Sequence, residues 1–324
     1  MEHLKNIFSF RYVFETSLAL HLNLPSFLPN SWADSREVWE NMLRKERDLP
    51  RDPYMLANHP ELASRMRSVL LNWLLEVCDA YQLHRETFCL AVDFTDRYLS
   101  LTRGVRRTQL QLIGISALFL AAKQEEIYPP KVTEFAYVTD TVCSVRDILR
   151  QEMIIVKVLK WKLCPMTTNA WLGIFLQLVN ANRLTDPNTG FMLPLFSNFS
   201  FVQMSRLCDL CLLDLGSLHF PYSNIAAAAL VHHTRNEAIL DVLNLNKANV
   251  AQCVNWMVPF AVALTEAGPS PVKSFPDVDM KEFHTLQTHN VDLDLLTHAV
   301  GVQMVYLEQV REQEVPLDLT KRQA

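Results

Sequence analysis

Scarce glycine is the feature of this sequence that most narrows its possible folds. The chain has 7 glycines among 324 residues, whereas average usage near 7% would give roughly 23. Sandwiches, barrels and doubly wound sheets need glycine in tight turns and phosphate loops, so the shortage indicates helices joined by short polar connections. Gly104 and Gly114, the closest pair along the chain, are too far apart for G-x-G-x-x-G or P-loop motifs. A dinucleotide-binding dehydrogenase, a P-loop NTPase and a protein kinase are therefore excluded.

The charge pattern predicts neither a nucleic-acid nor a membrane partner. The formal net charge is −5 and no basic tract exceeds two residues, as in Arg106-Arg107, whereas phosphate-backbone binding needs several clustered cations. The apolar run Leu112–Ala122 would span about 17 Å as a helix, roughly half a bilayer core, so we interpret it as a buried helix. The chain has 7 cysteines, an odd number, and they are scattered along the sequence. We also expect no secretion signal, so the cysteines are interpreted as reduced thiols of an intracellular protein.

Apolar periodicity predicts two sets of five helices, preceded by one helix and followed by an amphipathic stretch. The first helix is predicted over Ser35–Arg47, and the sets meet at Cys164-Pro165. Each set has a central segment rich in small residues, which indicates a repeat of about 100 residues. The other helical segments are predicted over 60–81, with Pro60 in the first turn, then over 85–100, 106–123, 131–138, 144–159, 168–180, 199–215, 221–233, near 237, 249–267 and 279–312.

The helix predicted over 60–81 has an unusually wide apolar face. At 100° per residue its apolar arc covers about 240°, against about 100° for an ordinary surface helix. Such a helix is either fully enclosed or offers one side to a partner. Arg67 falls inside this arc, and a buried guanidinium needs a carboxylate, for which Asp96 is the natural candidate. Alternatively, Arg67 extends its charged end to the surface. The narrow polar strip consists of Ser68, Asn72, Glu76 and Asp79.

Several short motifs imitate catalytic or metal sites without the partners that those sites need. Cys208 and Cys211 have the spacing of half a zinc site, but no second C-x-x-C follows and His232-His233 are adjacent, so core packing is the better interpretation. His84-Arg85-Glu86 and Asp93-Phe94 resemble fragments of kinase motifs, yet the glycine-rich loop is missing. We therefore predict no catalytic residue, no metal ligand and no cofactor; a catalytic triad assembled in space is the alternative that the sequence leaves open.

Two segments of the first helix set resemble the cyclin box. They are Met66-Arg67-Ser68-Val69-Leu70 with Trp73, and the run Lys123-Gln124-Glu125-Glu126-Ile127-Tyr128-Pro129-Pro130. Further phrases resemble the E-type cyclins of the G1/S transition, and the resemblance covers roughly residues 30–310. These phrases lie at 31–33, 36–39, 83–88, 135–140 and 256–261, while 286–289 and 293–296 resemble the tail of that group.

The resemblance implies an all-α fold of two tandem five-helix cyclin boxes with flanking helices. The implied parts are an irregular flank (1–30), an N-terminal helix region (31–58), an N-terminal box (59–164), a C-terminal box (165–267), and a linker with a helical tail (268–324). It also implies a non-enzymatic nuclear and partly cytoplasmic subunit that activates a cyclin-dependent Ser/Thr kinase and recruits substrates and inhibitors carrying Arg-x-Leu. The alternative is a cyclin-fold adaptor that binds partners without activating a kinase.

The resemblance also assigns roles to charged residues. Lys123 and Glu152 match the pair that meets the kinase, although a simple helix-capping cation is the alternative for Lys123. Gln124 stands at a kinase-facing position where relatives usually carry Phe or Leu, so it bears on the strength of the interface. Arg67 and Asp96 match a buried structural ion pair, which is the pairing that the helical arc already indicates.

A docking groove for Arg-x-Leu motifs is a further implication of the resemblance. The helical wheel places Met66, Val69 and Trp73 beside Glu76, which forms an apolar groove with an acid for the arginine of the peptide. Leu112 matches a core position of the family, and Asn72 replaces an Asp on the polar strip. The groove is expected to comprise Met66, Val69, Leu70, Trp73, Glu76, Leu110 and Gln111.

Ser270-Pro271 is the sole proline-directed site in the sequence, because no Thr-Pro occurs. We expect phosphorylation of Ser270 by the bound kinase. The alternative is an unmodified turn in a proline-rich linker.

Overall fold

The computed structural model describes residues 35–181, 196–243, 245–276 and 278–314, and the predictions for the flank 1–30 and for 31–33 lie outside these ranges. Within them the chain forms twelve α-helices. They are α1 Ser35–Arg47, α2 Ser64–Ala80, α3 Arg85–Leu101, α4 Leu110–Glu125, α5 Val132–Tyr137, α6 Val145–Val158, α7 Thr168–Ala181, α8 Asn198–Leu213, α9 Tyr222–Thr234, α10 Ile239–Val242, α11 Lys247–Ala267 and α12 Leu293–Glu314. Short 3-10 helices lie at Met55–Asn58, Arg107–Gln109, Leu215–His219 and Met280–Thr285.

The all-α prediction is confirmed for the described ranges, where the only β-type pairing is an isolated antiparallel bridge between His84 and Leu286. Helices α2, α3, α5 and α6 pack around α4, while α7, α8 and α11 pack around α9 and the short α10 packs against α7. None of the helices in this part of the chain combines the length and apolarity needed to cross a membrane.

The two central helices are apolar on nearly every side. In α4, all residues from Ile113 to Ala122 are buried, and in α9 the run Ala226–Ala229 is completely buried. Small side chains allow neighbouring helices to approach closely. At Gly114, an added Cβ would lie only 2.7 Å from Leu70 Cδ1, so glycine is what lets α2 and α4 meet there.

Helix α2 begins at Ser64, four residues later than the predicted start at Pro60. The preceding turn is held by His59, which is completely buried. One of its ring nitrogens lies 2.8 Å from the carbonyl oxygen of Leu99, and the other accepts the backbone N–H of Val105 at 3.1 Å. Because these contacts hold the chain before α2 in a turn, the helix begins only after it.

The stretch predicted to be helical over 279–312 is interrupted. A 3-10 turn ends at Thr285 and α12 begins at Leu293. The residues between them include an extended stretch, which we call the C-terminal segment (residues 286–291). Gln287 N donates to Leu83 O at 2.8 Å, and Arg85 Nη2 donates to Thr288 Oγ1 at 3.0 Å. Backbone pairing with the first helix set therefore replaces helical hydrogen bonds here.

Helix α1 packs against the second helix set, although it precedes the first one in the chain. Trp39 is 4% exposed and its ring centroid lies 5.5 Å from that of Trp171. Glu46 accepts hydrogen bonds from the Trp171 indole at 3.1 Å and from the backbone N–H of Ser223 at 2.8 Å. An aromatic contact and hydrogen bonds therefore hold α1 against the second helix set.

Candidate functional site

The sequence-predicted charged pair, Lys123 and Glu152, comes together on the first helix set. Lys123 lies in the last turn of α4, and its Nζ donates to Glu152 Oε1 of α6. The Lys123 side chain is 41% exposed, that of Glu152 is 9% exposed, and Lys123 Nζ lies 4.6 Å from the Phe119 ring centroid. Helix α6 is positioned by the predicted cap, because Ser144 Oγ accepts the N–H of Asp147. The Glu152 carboxylate therefore holds the partly exposed Lys123 ammonium in place at the surface.

Exposed apolar side chains on α6 and in the turn after it were not among the predicted site residues. On α6, Leu149 and Met153 are 42% and 45% exposed and lie four residues apart, next to Glu152. Trp161 is 70% exposed at the turn that follows α6, where Lys160 and Trp161 both have positive φ (53° and 61°). The signal available in the sequence was the pair of apolar residues at helical spacing beside Glu152. We call this set, Lys123, Leu149, Glu152, Met153 and Trp161, the Lys123 surface.

Gln124 is exposed at the edge of the Lys123 surface. Its Nε2 donates to the carbonyl oxygen of Leu163 at 2.9 Å. This hydrogen bond ties the end of α4 to the turn that carries Trp161. The polar side chain is therefore partnered within the chain and does not require a polar group on a binding partner.

The residues predicted for the docking groove lie on α2 and α4. Val69 is 45% exposed, and the Glu76 side chain is 51% exposed. Leu70 and Leu110 are buried, and Leu70 lies against Gly114. Three further residues of the predicted groove are half-buried, namely Met66, Trp73 and Gln111. Leu112, predicted as a core position, is half-buried and packs against the core.

The polar strip of α2 faces other parts of the protein. Ser68 and Asn72 are buried, and Ser68 Oγ donates to Leu213 O at 2.7 Å. Asn72 Nδ2 donates to Glu76 Oε1 at 2.8 Å, and His289 Nε2 lies 3.1 Å from Asn72 Oδ1. Ser68 is therefore covered by the second helix set and Asn72 by the C-terminal segment, while Glu76 stays exposed.

Arg67 and Asp96 form the ion pair that the sequence predicted, and Arg67 does not extend to the surface. Arg67 Nε and Nη2 donate to the two Asp96 oxygens at 2.7 and 2.8 Å, and both side chains are at most 1% exposed. Arg67 Nη1 also donates to Leu212 O of α8 at 2.9 Å. Burial alone would lower the pKa of Arg67, but the Asp96 carboxylate outweighs it and the pKa is raised. The guanidinium therefore remains charged and links both helix sets.

Ser270, the predicted phosphorylation site, is only 7% exposed. Its backbone N–H donates to Gln203 Oε1 at 3.1 Å, and its carbonyl oxygen accepts from Gln203 Nε2 at 2.7 Å. Nearby, Lys273 Nζ donates to Asp79 Oδ1 at 2.8 Å. A kinase needs an accessible, extended segment, so this geometry favours the alternative, an unmodified turn. Phosphorylation stays a prediction that requires the linker to open.

The cysteine pair of α8 lies in the core. Cys208 is 3% exposed and Cys211 is completely buried. Burial raises the pKa of both thiols well above the ordinary range, which keeps them neutral. In the described ranges, no group of three or more His, Cys, Asp or Glu side chains is placed to bind a metal ion.

Comparison with known proteins gives two matching family models. Residues 37–164 match the model for the N-terminal domain of cyclins, and residues 171–290 match the model for their C-terminal domain. A crystal structure of a viral cyclin from herpesvirus saimiri superposes with a TM-score of 0.56, covering 69% of this chain and 97% of that one. Its identity is 21%, so this likeness concerns the fold alone.

Curated relatives match over most of the chain. A G1/S-specific cyclin-E of Hemicentrotus pulcherrimus is 49% identical over 265 residues, which cover 82% of this chain and 62% of that protein. G1/S-specific cyclin-E1 of Rattus norvegicus is 47% identical, covering 87% and 67% respectively. The Gallus gallus cyclin-E1 is 44% identical, covering 92% and 73%. The chain therefore spans about two thirds of the length of these relatives.

Proposed function

Because this chain belongs to the cyclin family, we propose that it is a regulatory subunit that binds and activates a cyclin-dependent Ser/Thr kinase at the G1/S transition. The observation that carries the proposal is the Lys123 surface, where a held ion pair lies among exposed Leu149, Met153 and Trp161. The subunit contributes no catalytic residue of its own. Neither nucleic acid nor a membrane is a partner in this proposal.

The energetics favour an interface anchored by apolar groups. A kinase whose inactive state dominates 99 to 1 needs about 5.5 kcal/mol of preferential binding to be reversed. An exposed ion pair contributes about 0.2–1 kcal/mol, so Lys123 and Glu152 are too weak alone. Full burial of a large apolar side chain contributes about 1.5–3 kcal/mol. Leu149, Met153 and Trp161 are 42%, 45% and 70% exposed, so burying what remains exposed contributes a corresponding share of that figure before the entropic cost of association. We infer that the apolar side chains supply the affinity and the ion pair supplies the orientation.

Kinase activation with purified components tests the proposal. The full chain is mixed with a cyclin-dependent kinase phosphorylated on its activating loop, and histone phosphorylation is measured. We expect strong activation, with affinity about tenfold or more weaker for Trp161→Ala and Met153→Ala, and a smaller loss for Lys123→Ala and Glu152→Ala. Lys247→Ala is the matched control, because Lys247 forms an exposed ion pair with Asp241 elsewhere.

Three other outcomes would contradict the proposal in distinct ways. Tight binding without activation would favour the alternative, a cyclin-fold adaptor. If the chain activates the kinase and none of the substitutions weakens this activation, the kinase binds somewhere other than the Lys123 surface. No binding at all would mean that the chain keeps the fold without the function.

We further propose that the groove between α2 and α4 recruits Arg-x-Leu substrates and inhibitors. Val69 and Trp73 offer apolar surface to the leucine, and exposed Glu76 offers a carboxylate to the arginine. One or two apolar anchors give about 1.5–3 kcal/mol each before entropy losses, so the groove binds weakly and raises the local concentration of substrate. Fluorescence anisotropy of a labelled Arg-x-Leu peptide tests this, with weaker binding expected for Trp73→Ala and Glu76→Ala.

The matched control for Glu76→Ala is Glu266→Ala. Both glutamates are about half exposed and both lie near a histidine, which is His298 for Glu266. Equal effects of the two substitutions would contradict docking at α2.

We also propose that the protein resides in the nucleus, with a smaller cytoplasmic fraction. The support is the family resemblance, since no basic tract longer than two residues occurs. Imaging of a fluorescent fusion of the full chain tests this, and purely cytoplasmic fluorescence would contradict it.

A further inference from the structure

Asn72 connects the rim of the docking groove to the C-terminal segment. Asn72 Nδ2 donates to Glu76 Oε1 at 2.8 Å, and Asn72 Oδ1 lies 3.1 Å from His289 Nε2. His289 Nε2 also lies 3.9 Å from Glu76 Oε1. Asn72 is 7% exposed, so the connection is shielded from water, whereas the Glu76 carboxylate remains accessible.

These three groups form a chain of hydrogen bonds with one consistent direction. A carboxylate oxygen accepts hydrogen bonds, so the Asn72 amide nitrogen faces Glu76 Oε1. The Asn72 oxygen is then turned toward the imidazole, and His289 Nε2 carries the hydrogen. An aspartate at this position has no N–H to donate and would place a like charge beside Glu76. Asparagine therefore has both the donor and the acceptor that this geometry requires.

His289 is itself held by both helix sets. On one side, Gln287 N donates to Leu83 O at 2.8 Å. On the other side, Arg206 Nε of α8 donates to Asn290 O at 2.8 Å. Because its neighbours are fixed at both ends, His289 keeps its imidazole against Asn72.

We propose that Asn72 and His289 are positioning residues that hold the Glu76 carboxylate ready for the arginine of an Arg-x-Leu peptide. This inference rests on the docking function proposed above. A carboxylate with one oxygen already held by Asn72 presents the other to a guanidinium and loses little side-chain freedom on binding. The C-terminal segment thereby tunes the selectivity of the groove for a cationic peptide residue.

A coupling experiment on the full chain tests the proposal. Fluorescence anisotropy measures the affinity for two peptides, one with Arg-x-Leu and one with Ala-x-Leu. We expect His289→Ala and Asn72→Ala to weaken binding of the arginine peptide about threefold to tenfold. We expect no change for the alanine peptide. His289→Gln, whose amide can donate at a similar position, should restore most of the affinity.

Removing Glu76 isolates the positioning role. In a Glu76→Ala background, His289→Ala should have no further effect, because the carboxylate that it positions is absent. His298→Ala is the matched control, since His298 contacts Glu266 far along the chain.

Two results would overturn this inference without contradicting the proposed docking function. One is an equal loss of affinity for both peptides in His289→Ala, which would indicate general disruption of the groove. The other is unchanged affinity for the arginine peptide in both His289→Ala and Asn72→Ala, while Glu76→Ala still weakens it. If the wild-type chain binds neither peptide, or if Glu76→Ala has no effect, the docking function itself fails and this inference fails with it.

Discussion

Arg85 Nη1 lies 3.2 Å from Asp209 Oδ2, and this buried ion pair joins α3 of the first helix set to α8 of the second. Gln287 Nε2 donates to the same Asp209 oxygen at 2.9 Å, and Arg85 Nε donates to His284 O at 3.0 Å. Burial lowers the pKa of Arg85 and raises the pKa of Asp209, so desolvation outweighs the attraction between them. We therefore expect the pair to specify how the helix sets meet more than to stabilise them.

Removing one member of this pair should be costly, and removing both should cost less. Arg85→Met leaves the Asp209 carboxylate buried without its cation, which should lower the free energy of unfolding by about 3–5 kcal/mol. Arg85→Met combined with Asp209→Leu should recover most of that loss. Urea unfolding measures both variants. If the single and double variants lose the same free energy of unfolding, the ion pair itself stabilises the protein.

Glu46 should hold α1 against the second helix set through the hydrogen bonds that it accepts. Glu46→Ala leaves the Trp171 indole N–H and the Ser223 backbone N–H without a partner, at about 1–3 kcal/mol for each buried donor. Glu46→Gln keeps an oxygen in place and serves as the matched control, with a smaller loss. Limited proteolysis near residue 50 is the readout. Equal cleavage rates in wild type and Glu46→Ala would show that Trp39 holds α1 without Glu46.

Gly114 should be intolerant of even one added methyl group. In Gly114→Ala the new Cβ would lie 2.7 Å from Leu70 Cδ1, so the Leu70 side chain must shift. Overpacking of this kind typically costs about 1–3 kcal/mol. Thermal unfolding measures the loss. Gly173→Ala is the control, because no atom lies within 4 Å of a Cβ added there, and a loss no larger than in this control would contradict the prediction.

His84 should make stability depend on pH. Its Nδ1 lies 2.7 Å from Glu126 Oε2, and this hydrogen bond raises the pKa of His84 above its ordinary 6.5. A histidine whose pKa is higher in the folded state contributes fully below about pH 6.5. That contribution is lost as the pH rises through the folded-state value. The stability difference between wild type and His84→Gln should therefore shrink as the pH rises above 6.5.

Glu126 supplies the matching test of this pH dependence. Burial alone would raise the pKa of Glu126, but hydrogen bonds from His84 and Thr87 lower it, so the carboxylate stays charged throughout that pH window. Glu126→Gln should remove the same pH-dependent part of the stability. Thermal unfolding at a series of pH values gives both differences. Curves that stay parallel to wild type for both variants would contradict the assignment.

Much of the fold was predictable because helix formation depends on local pattern. Apolar spacing of three and four residues located α1 over Ser35–Arg47 and α3 from Arg85 onward, and the arc of α2 indicated that Arg67 needs Asp96. The predicted starts of α2 and α12 were wrong, because His59 and the C-terminal segment form contacts with residues far away in the sequence.

The amino-acid sequence by itself determined the helices, the buried faces and the resemblance that locates Lys123 and Glu152. Only the tertiary structure decided that Trp39 packs on the second helix set and that Ser270 is covered. The same holds for the contact of Asn72 with His289, which lie 217 residues apart. Periodicity reports which face of a helix is apolar, but it carries no information on the angle at which two helices cross. Such contacts depend on how the two helix sets pack together.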